Sequence, residues 1–198
     1  IRNRLSPHFI FNVLNQEVVN RKEEEKQELV SLVKLMRRNL ELAEQLCVTL
    51  AEELDFVKTY IDLERRSLGA TFHPVIEIAG DVLPEQVWLP SMMIQIPVEN
   101  SVKHALRGKE GERNLWIAAD RREGGVCIRI TDNGGGYHPE SRNRGTGTGM
   151  KVIMQTIQIL NMKNLAAIDI SVHNVTLPSG ETGCEVTFLL PDKYDYRI

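Results

Sequence analysis

The sequence predicts an α+β protein in which an N-terminal helical segment precedes a domain that contains both strands and helices. In about the first third of the 198-residue chain, apolar residues recur at helical spacing and no stretch alternates like a strand. After Gly69, alternating apolar and polar stretches are separated by turns rich in glycine and proline. We therefore expect a helical region over residues 1–69 and a sheet-containing domain over residues 70–198.

The composition and charge argue against several classes of function. The net charge is −3 with both signs mixed, so the chain offers no broad basic surface for a nucleic-acid backbone. Cys47, Cys127 and Cys184 are scattered without Cys-x-x-Cys spacing, which indicates reduced thiols rather than a zinc site. No apolar run approaches the ~20 residues that span a bilayer, and no signal peptide is recognisable. The chain begins at Ile1 without a methionine, so we expect a piece of a longer protein, with any membrane segment outside this piece.

Three amphipathic helices are predicted before Gly69. The first lies within residues 1–20, the second begins near Glu28, and the third follows the capping box that Thr49 forms with Glu52. Gly69 is a typical C-terminal stop for the third helix. Two or three such helices are too few to bury their apolar faces alone. We therefore expect a second copy to complete a four-helix bundle, with packing on the following domain as the alternative.

The first helix carries His8 between Pro7 and Phe9. By itself, a lone histidine on an apolar helix is usually a packed or surface residue. The neighbouring sequence offers no cysteine or carboxylate pattern that favours a metal site.

The stretch over residues 96–105 combines an apolar helix face with a compact polar one. Glu99, Asn100, Lys103 and His104 fall within little more than one turn. Because residues three and four apart are neighbours on a helix, Asn100, Lys103 and His104 could face one ligand together. An amide oxygen suits a hard cation and a lysine suits a phosphate, whereas a solvated helix face is the alternative.

Five strands and a helix are predicted after Gly69, in addition to the helical stretch over residues 96–105. Alternation and turn residues favour strands over residues 72–78, 115–120, 126–131, 168–175 and 185–190. A helical run extends over residues 150–160, and Pro191 is expected to end the sheet.

Two glycine-rich turns lie between these elements. At the first, Asp132–Gly136, an aspartate can accept a hydrogen bond from an exocyclic amine, although Asp-Asn-Gly turns are also common without any site. The second, Gly145–Gly149, opens a helix and could present N–H groups to an anion. It lacks the Gly-Lys-Ser/Thr of a Walker loop and the strand-helix-strand unit of a Rossmann turn. Residues 137–144, which are polar, are expected to form a mobile flap.

In this order, the pieces resemble the GHKL superfamily of ATP-binding domains and, more closely, the catalytic core of a LytS/YehU-type sensor histidine kinase. The resemblance covers almost the whole chain. Residues 5–12 (LSPHFIFN) are similar to that family's phosphoacceptor box, and residues 51–64 to the helix before its ATP domain. Residues 98–104 (VENSVKH) match the N box, 132–136 (DNGGG) the G1 box and 145–149 (GTGTG) the G2 box.

This resemblance implies a Bergerat-type ATP-binding fold, which is a two-layer α/β sandwich with a mixed sheet and helices on one face. It also implies an ATP-dependent protein-histidine kinase of a bacterial two-component system. Such a kinase binds Mg²⁺-ATP, phosphorylates its own histidine and donates the phosphate to an aspartate in a response-regulator receiver domain. It also implies a homodimer through the N-terminal helices, no nucleic-acid partner, and a cytoplasmic portion of an inner-membrane sensor protein.

Roles for individual residues follow from the same resemblance. His8 would accept the γ-phosphoryl group, and Asn100 would ligate the Mg²⁺ that bridges the ATP phosphates. Lys103 or His104 would lie near the phosphate tail. Glu99, which adjoins Asn100, completes the candidate catalytic set without an assigned proton-transfer role.

The two glycine-rich boxes supply the other candidate residues for ATP. Asp132 would hold the adenine amino group, and the glycines would shape the pocket wall and let a lid close over the phosphates. The predicted ATP-binding residues of the two boxes are Asp132, Gly134, Gly136, Gly145, Gly147, Thr148 and Gly149.

Some positions depart from the family pattern and bear on two alternative functions. Gly183-Cys184 stands where Gly-Thr is usual, Met150 and Val152 replace Leu and Asn, and no carboxylate follows His8. A GHKL ATPase that hydrolyses ATP to drive a conformational change needs a carboxylate one helical turn before the asparagine, where this chain has Ile96. The other alternative is a non-catalytic signalling dimer, against which the intact N, G1 and G2 boxes argue.

Overall fold

The computed structural model describes residues 30, 33, 36, 45–137 and 146–197, with the backbone alone at 146–148. The first predicted helix, most of the second, the flap after Tyr137, His8 and Gly145 all lie outside the described residues. Within the second predicted helix, Val30, Val33 and Met36 are helical, and Val33 is buried.

Helix α1 (Leu50–Leu68) begins and ends where the sequence predicts. The hydroxyl of Thr49 accepts the N–H of Glu52 at 3.3 Å, and the Glu52 carboxylate accepts the N–H of Thr49 at 2.9 Å. Gly69 adopts φ 74° and its N–H donates to the carbonyl oxygen of Arg65. This left-handed backbone favours glycine, so the predicted capping box and stop are both confirmed.

A five-stranded mixed sheet forms one layer of the domain. Its members are β2 (Phe72–Ile78), β4 (Arg113–Arg122), β5 (Gly125–Asp132), β6 (Asp169–Thr176) and β7 (Thr182–Pro191). Their order is β2-β4-β5-β7-β6, with β2 parallel to β4 and the other pairs antiparallel. A separate antiparallel pair, β1 (Cys47–Thr49) and β3 (Trp88–Pro90), was not expected from the sequence.

Helices cover one face of the large sheet. Helix α2 (Gln95–Asn100) continues directly into a π-helix (Ser101–Leu106), and α3 (Thr146–Asn161) precedes β6. Alternate residues of the central strands are buried in a core shared with these helices: Leu115, Ile117, Ala119, Ile128 and Ile130. The intervening Trp116 and Arg129 are only partly buried, which marks the opposite face. The predicted α+β class is therefore confirmed.

Strand β2 is an edge of the sheet and contains Pro74. A proline has no N–H for a sheet ladder and is accommodated in edge strands rather than central ones. Its neighbours His73 and Glu77 are exposed polar residues. The row of N–H donors along this edge strand is therefore interrupted at Pro74.

The start of α3 differs from the prediction. Thr146–Gly149 form the first turn of the helix, whereas the sequence predicts a turn that ends before Met150. The low helix propensity of glycine accounts for the error, because tertiary packing overrides propensity at this position. A Cβ on Gly149 would lie 2.8 Å from Cγ2 of Ile96, so the helix start is packed tightly against α2.

In the described part of the chain, no helix is both long enough and apolar enough to cross a membrane.

The capping box yields a test of fold stability. Replacing Thr49 by alanine removes the side chain that accepts the Glu52 N–H, so the free energy of unfolding should fall by about 1 kcal/mol in urea denaturation. Thr59→Ala is the matched control, because the Thr59 hydroxyl donates to the Asp55 carbonyl in mid-helix at 3.1 Å. The control should stay within about 0.5 kcal/mol of wild type. Equal losses in both variants would contradict the capping role.

Candidate functional site

Asp132 lies at the end of β5 and is 2% exposed. Its Oδ2 accepts the hydroxyl of Ser101 at 2.7 Å, and its Oδ1 accepts the N–H of Gly134 at 2.9 Å. Burial raises the pKa of Asp132, and the hydrogen bonds from Ser101, Gly134 and the Cys184 backbone partly oppose this rise. Each carboxylate oxygen can accept two hydrogen bonds, so the side chain retains capacity for a ligand donor.

Strand β7 passes directly behind Asp132. A Cβ on Gly183 would lie 1.9 Å from the carbonyl oxygen of Asp132, so only glycine allows the two strands this approach. Cys184 is the register partner of Asp132. Burial, followed by the nearby charges of Asp132 and Glu185, raises the pKa of the Cys184 thiol to about 11. The Gly-Cys departure therefore retains the required glycine and places a neutral thiol beside the carboxylate.

The helix that carries the N box contacts both glycine-rich boxes. A Cβ on Gly134 would lie 2.3 Å from the Cβ of Ala105, so the G1 turn rests on the π-helix. Ile96 contacts Gly149 in the first turn of α3, which also contains Gly147 and Thr148 of the G2 box. Residues from all three predicted boxes thus lie around one helix.

Asn100 is half-buried and is the last residue of α2. It lies four residues after Ile96 in the α-helix, so it shares the face that meets the start of α3. After Asn100 the helix is wider, because the N–H of Arg107 donates to Val102, five residues back, at 2.9 Å. Such π-turns frequently occur at functional sites. The α-helical spacing assumed for Asn100, Lys103 and His104 is therefore wrong beyond Asn100.

Lys103 and His104 are both exposed. Lys103 Nζ lies 2.6 Å from Oε2 of Glu99, and Nε2 of Gln95 donates to Oε1 of Glu99 at 2.8 Å. The charge of Lys103 is thus compensated by Glu99 in the described structure. Roles for Lys103, His104 and Glu99 toward a phosphate remain predictions.

Asn133 and Ser101 are site residues that the sequence analysis missed. Buried Asn133 accepts the N–H of Asn114 at 2.8 Å and donates to the Glu112 carbonyl at 2.9 Å and to Glu181 Oε2 at 3.0 Å. It therefore fixes the G1 turn to the start of β4 and to the β6–β7 turn. Both missed residues lie within the recognised boxes, directly after Asp132 and Asn100, and this adjacency was the available signal.

The G1 turn ends against β6. Gly136 has φ 89°, and a Cβ there would lie 2.8 Å from Oδ1 of Asn174. Asn174 accepts the N–H of Tyr137 at 2.5 Å and donates to its carbonyl at 3.2 Å. This pair holds the chain where it leaves the turn.

The described residues contain no group of three or more His, Cys, Asp or Glu that could hold a metal ion. A Mg²⁺ that arrives with a polyphosphate needs only one or two protein oxygens, because phosphates and water supply the other ligands. The amide oxygen of Asn100 fits that requirement in its chemistry and in its position beside the start of α3.

Two family models match the chain. Residues 89–194, more than half of the chain, match the model of the histidine kinase-, DNA gyrase B- and HSP90-like ATPases. The chain belongs to this ATPase family. Residues 1–72 match the histidine kinase model.

Curated relatives of this ATPase-family chain include sensor kinases. It is 28% identical to sensor protein LytS of Bacillus subtilis (strain 168), in an alignment that covers 95% of this chain and 32% of that protein. It is 31% identical to sensor histidine kinase BtsS of Escherichia coli (strain K12), in an alignment that covers 74% of this chain and 26% of that protein. The chain thus spans about a quarter to a third of the length of these relatives. The resemblance to LytS-type sensor kinases is confirmed.

A solved structure supports the fold of this ATPase-family chain. The histidine kinase domain of the Erythrobacter litoralis EL346 blue-light activated histidine kinase superposes with a TM-score of 0.53 at 13% identity. The match covers 92% of this chain and 81% of that one.

The contact between Gly134 and the π-helix yields a test. Gly134→Ala places a methyl group against the backbone of Ala105, so the free energy of unfolding should fall by about 1–3 kcal/mol in urea denaturation. Gly108→Ala is the control, because a Cβ at Gly108 would meet no atom within 4 Å. An equally stable Gly134→Ala variant would contradict the close approach.

Proposed function

We propose that this chain is the catalytic core of a sensor histidine kinase, which binds Mg²⁺-ATP and phosphorylates its own His8. The observation that carries the proposal is the hydrogen bond from Ser101 to Asp132. This bond joins the helix that ends in Asn100 to the buried carboxylate of the G1 box. Ser101 thus holds Asp132, the candidate acceptor for a nucleobase amine. The residue before Ser101 is Asn100, the candidate ligand for a phosphate-bound cation.

Asp132 is the proposed acceptor for the adenine amino group. Its carboxylate is buried and oriented by the Ser101 hydroxyl and the Gly134 N–H, yet has lone pairs available for one more donor. A buried acceptor of this kind discriminates strongly against bases that lack the matching amine, because an unmatched polar group would be left without a partner.

The phosphate end of ATP is proposed to lie between Asn100 and the first turn of α3. The first N–H groups of a helix lack intrahelical partners and attract anions, and Gly147, Thr148 and Gly149 lie in that turn. Bound Mg²⁺ would neutralise charge on the phosphates. Asn100 would hold its position through an amide oxygen. Lys103, His104 and Gly145 remain proposed phosphate neighbours.

The proposed reaction transfers the γ-phosphoryl group to an imidazole nitrogen of His8. A neutral ring nitrogen forms the new bond to phosphorus while the bond to the bridging oxygen breaks and ADP leaves. An unperturbed histidine is largely neutral at pH 7, so it can act as this nucleophile. The protein's contribution is mainly positioning and charge neutralisation. Glu99 is proposed to support Asn100 within the catalytic set.

Hydrolysis of ATP by water is disfavoured by Ile96. In the proposed arrangement, a water-activating carboxylate would be needed one turn before Asn100. At that position Ile96 packs its side chain on Gly149. An apolar side chain there cannot accept a proton, so transfer to a protein side chain is the better supported outcome.

The larger context of the reaction belongs to the same proposal. We infer a phosphoacceptor and dimerisation region over residues 1–69 and an ATP-binding domain over residues 70–198. A response-regulator receiver domain would take the phosphate from His8. From the resemblance to LytS-type sensor kinases, we also infer that the chain is the cytoplasmic portion of an inner-membrane sensor protein.

The phosphorylation site can be tested with γ-labelled ATP and Mg²⁺. Wild-type protein should acquire acid-labile, alkali-stable label, and His8→Ala should abolish it because the acceptor nitrogen is gone. His73→Ala is the matched control. His73 is an exposed residue of β2 that pairs with Glu112, so this variant should still acquire the label. Release of free phosphate without protein label would instead favour the hydrolytic ATPase.

The adenine site can be tested by replacing Asp132 with asparagine. An amide presents a donor where the carboxylate accepts, so ATP affinity measured by calorimetry should fall roughly 10- to 100-fold. Asp120→Asn is the control, because Asp120 pairs with Arg129 at 2.9 Å on the same sheet. The proposed adenine contact fails if both variants bind equally well.

The raised pKa of Asp132 adds a pH dependence to this test. The protonated group is a poorer acceptor, so wild-type affinity should fall as the pH is lowered. Because the pKa of Asp132 is raised, the fall should begin above pH ~4, the pKa of an ordinary aspartate. Asp132→Asn should lack this step. In the ligand-free protein the folded state holds this proton more tightly than the unfolded chain does. Stability should therefore decrease as the pH rises from ~4 through the raised pKa.

A further inference from the structure

Glu53 is a fully buried carboxylate in the first turn of α1, among the buried apolar residues of that helix. Its Oε1 accepts the N–H of Met92, and its Oε2 accepts the N–H groups of Ile94 at 3.1 Å and Gln95 at 3.0 Å. A buried carboxylate is stable only when its lone pairs are matched by donors. These three donors all belong to the segment that begins helix α2, not to α1 itself.

The start of α2 depends on Glu53 to satisfy its backbone. Ile94, the N-cap residue, offers no side-chain cap. Of the next N–H groups, that of Ile96 reaches the Met92 carbonyl at 3.1 Å, that of Val98 reaches Ile94 at 3.2 Å, and Pro97 has none. The remaining donors, on Ile94 and Gln95, are those that Glu53 accepts. Helix starts require such acceptors, and a carboxylate there also complements the helix dipole.

Helix α1 also contacts the segment that carries Asn100 farther along its length. Tyr60, seven residues after Glu53, is buried; burial raises its pKa, and the nearby charges of Glu64 and Glu99 add to the rise. Glu64 accepts a hydrogen bond from Arg107, just past the π-helix, at 2.5 Å. Residues of α1 thus lie against the start of α2, near Glu99, and beside Arg107 just after the π-helix.

We propose that Glu53 is a positioning residue that sets the place of Asn100 and thereby the Mg²⁺-dependent part of nucleotide binding. The inference rests on the proposed function, because it takes Asn100 as the ligand of the nucleotide-bound cation. Asn100 lies five residues after Gln95, about 7.5 Å along a rigid α-helix. A shift of the helix start therefore moves Asn100. Asp132 also accepts a hydrogen bond from Ser101 of the same helix, but its place on β5 and its donors from the Gly134 and Cys184 backbone do not depend on Glu53.

The test compares ATP affinity with Mg²⁺ and with EDTA in the full chain. Glu53→Gln keeps the shape but replaces one acceptor oxygen by an NH₂ group that faces backbone N–H. The gain in affinity due to Mg²⁺ should shrink by about 10-fold, the effect of losing one charge-assisted hydrogen bond, while affinity in EDTA stays within about 2-fold. Glu52→Gln is the control, since Glu52 belongs to the Thr49 capping box, and its Mg²⁺ gain should be unchanged.

A purely structural role of Glu53 predicts a different result. Equal losses of affinity with Mg²⁺ and with EDTA, or an unchanged Mg²⁺ gain in the folded variant, would overturn the inference. If wild type binds ATP with a Mg²⁺ gain and Asp132→Asn weakens binding, the proposed ATP site stands whatever Glu53→Gln shows. Wild type that fails to bind ATP would instead overturn the proposed function.

If the Glu53→Gln variant does not fold, the inference can be tested on the wild-type chain by hydrogen exchange. Coupling between two sites is reciprocal, so occupation of Asn100 must strengthen the hydrogen bonds at the helix start. Amide hydrogen exchange at Ile94 and Gln95 should slow with Mg²⁺-ATP relative to ATP in EDTA. Exchange at Val126 and Ile128, in β5, should not differ between the two conditions. Equal exchange at Ile94 and Gln95 would overturn the inference.

Discussion

The hydrogen bond from Ser101 to Asp132 joins the helical layer to the sheet at the centre of the candidate site. Removing a carboxylate from water is costly unless donors surround it, and Asp132 has donors from the π-helix, the G1 turn and β7. Meeting that requirement fixes how closely the parts approach. The G1 turn must rest on Ala105 and β7 must pass behind Asp132, which explains the glycines at 134 and 183.

The α-to-π change at Ser101 belongs to the same constraint. Widening the helix lets the segment Ser101–Leu106 follow the G1 turn, with Ser101 and Ala105 both against it. A π-helix is rare because its hydrogen-bond geometry is less favourable, so tertiary contacts must hold it. Here Ser101, Val102 and Leu106 are buried, and Arg107 is paired with Glu64 just after the last turn.

Local chemistry made much of this fold predictable. The Thr49 capping box, the Gly69 stop and the alternation in β4 and β5 each depend on a few neighbouring residues, and the structure contains them. The boxes also singled out Asp132 and Asn100 as candidate site residues, and the structure joins their elements through the Ser101–Asp132 hydrogen bond. Strands β1 and β3 escaped prediction because three residues are too few to display a period. The π-turn left no local signal, since it depends on contacts with a turn some thirty residues later, as the Ser101–Asp132 bond illustrates.

Glu53 shows a different limit of sequence reading. Its place in the apolar stripe between Leu50 and Val57 was visible, and a carboxylate there is a signal of a buried partner. The identity of that partner was not visible, because the donors lie 39 to 42 residues away and are backbone groups. Almost every residue type has a backbone N–H, so no sequence motif indicates which ones will donate to Glu53.

Pro74 has a consequence for how such domains behave when many are crowded together. An open sheet margin invites another chain to extend it, and interrupted donors with charged side chains discourage that association. On β2 the missing N–H of Pro74 and the exposed His73 and Glu77 make the margin a poor template. Two copies that meet at the β2 edge would therefore contact each other through side chains rather than by pairing strands; β6 forms the other edge of the sheet.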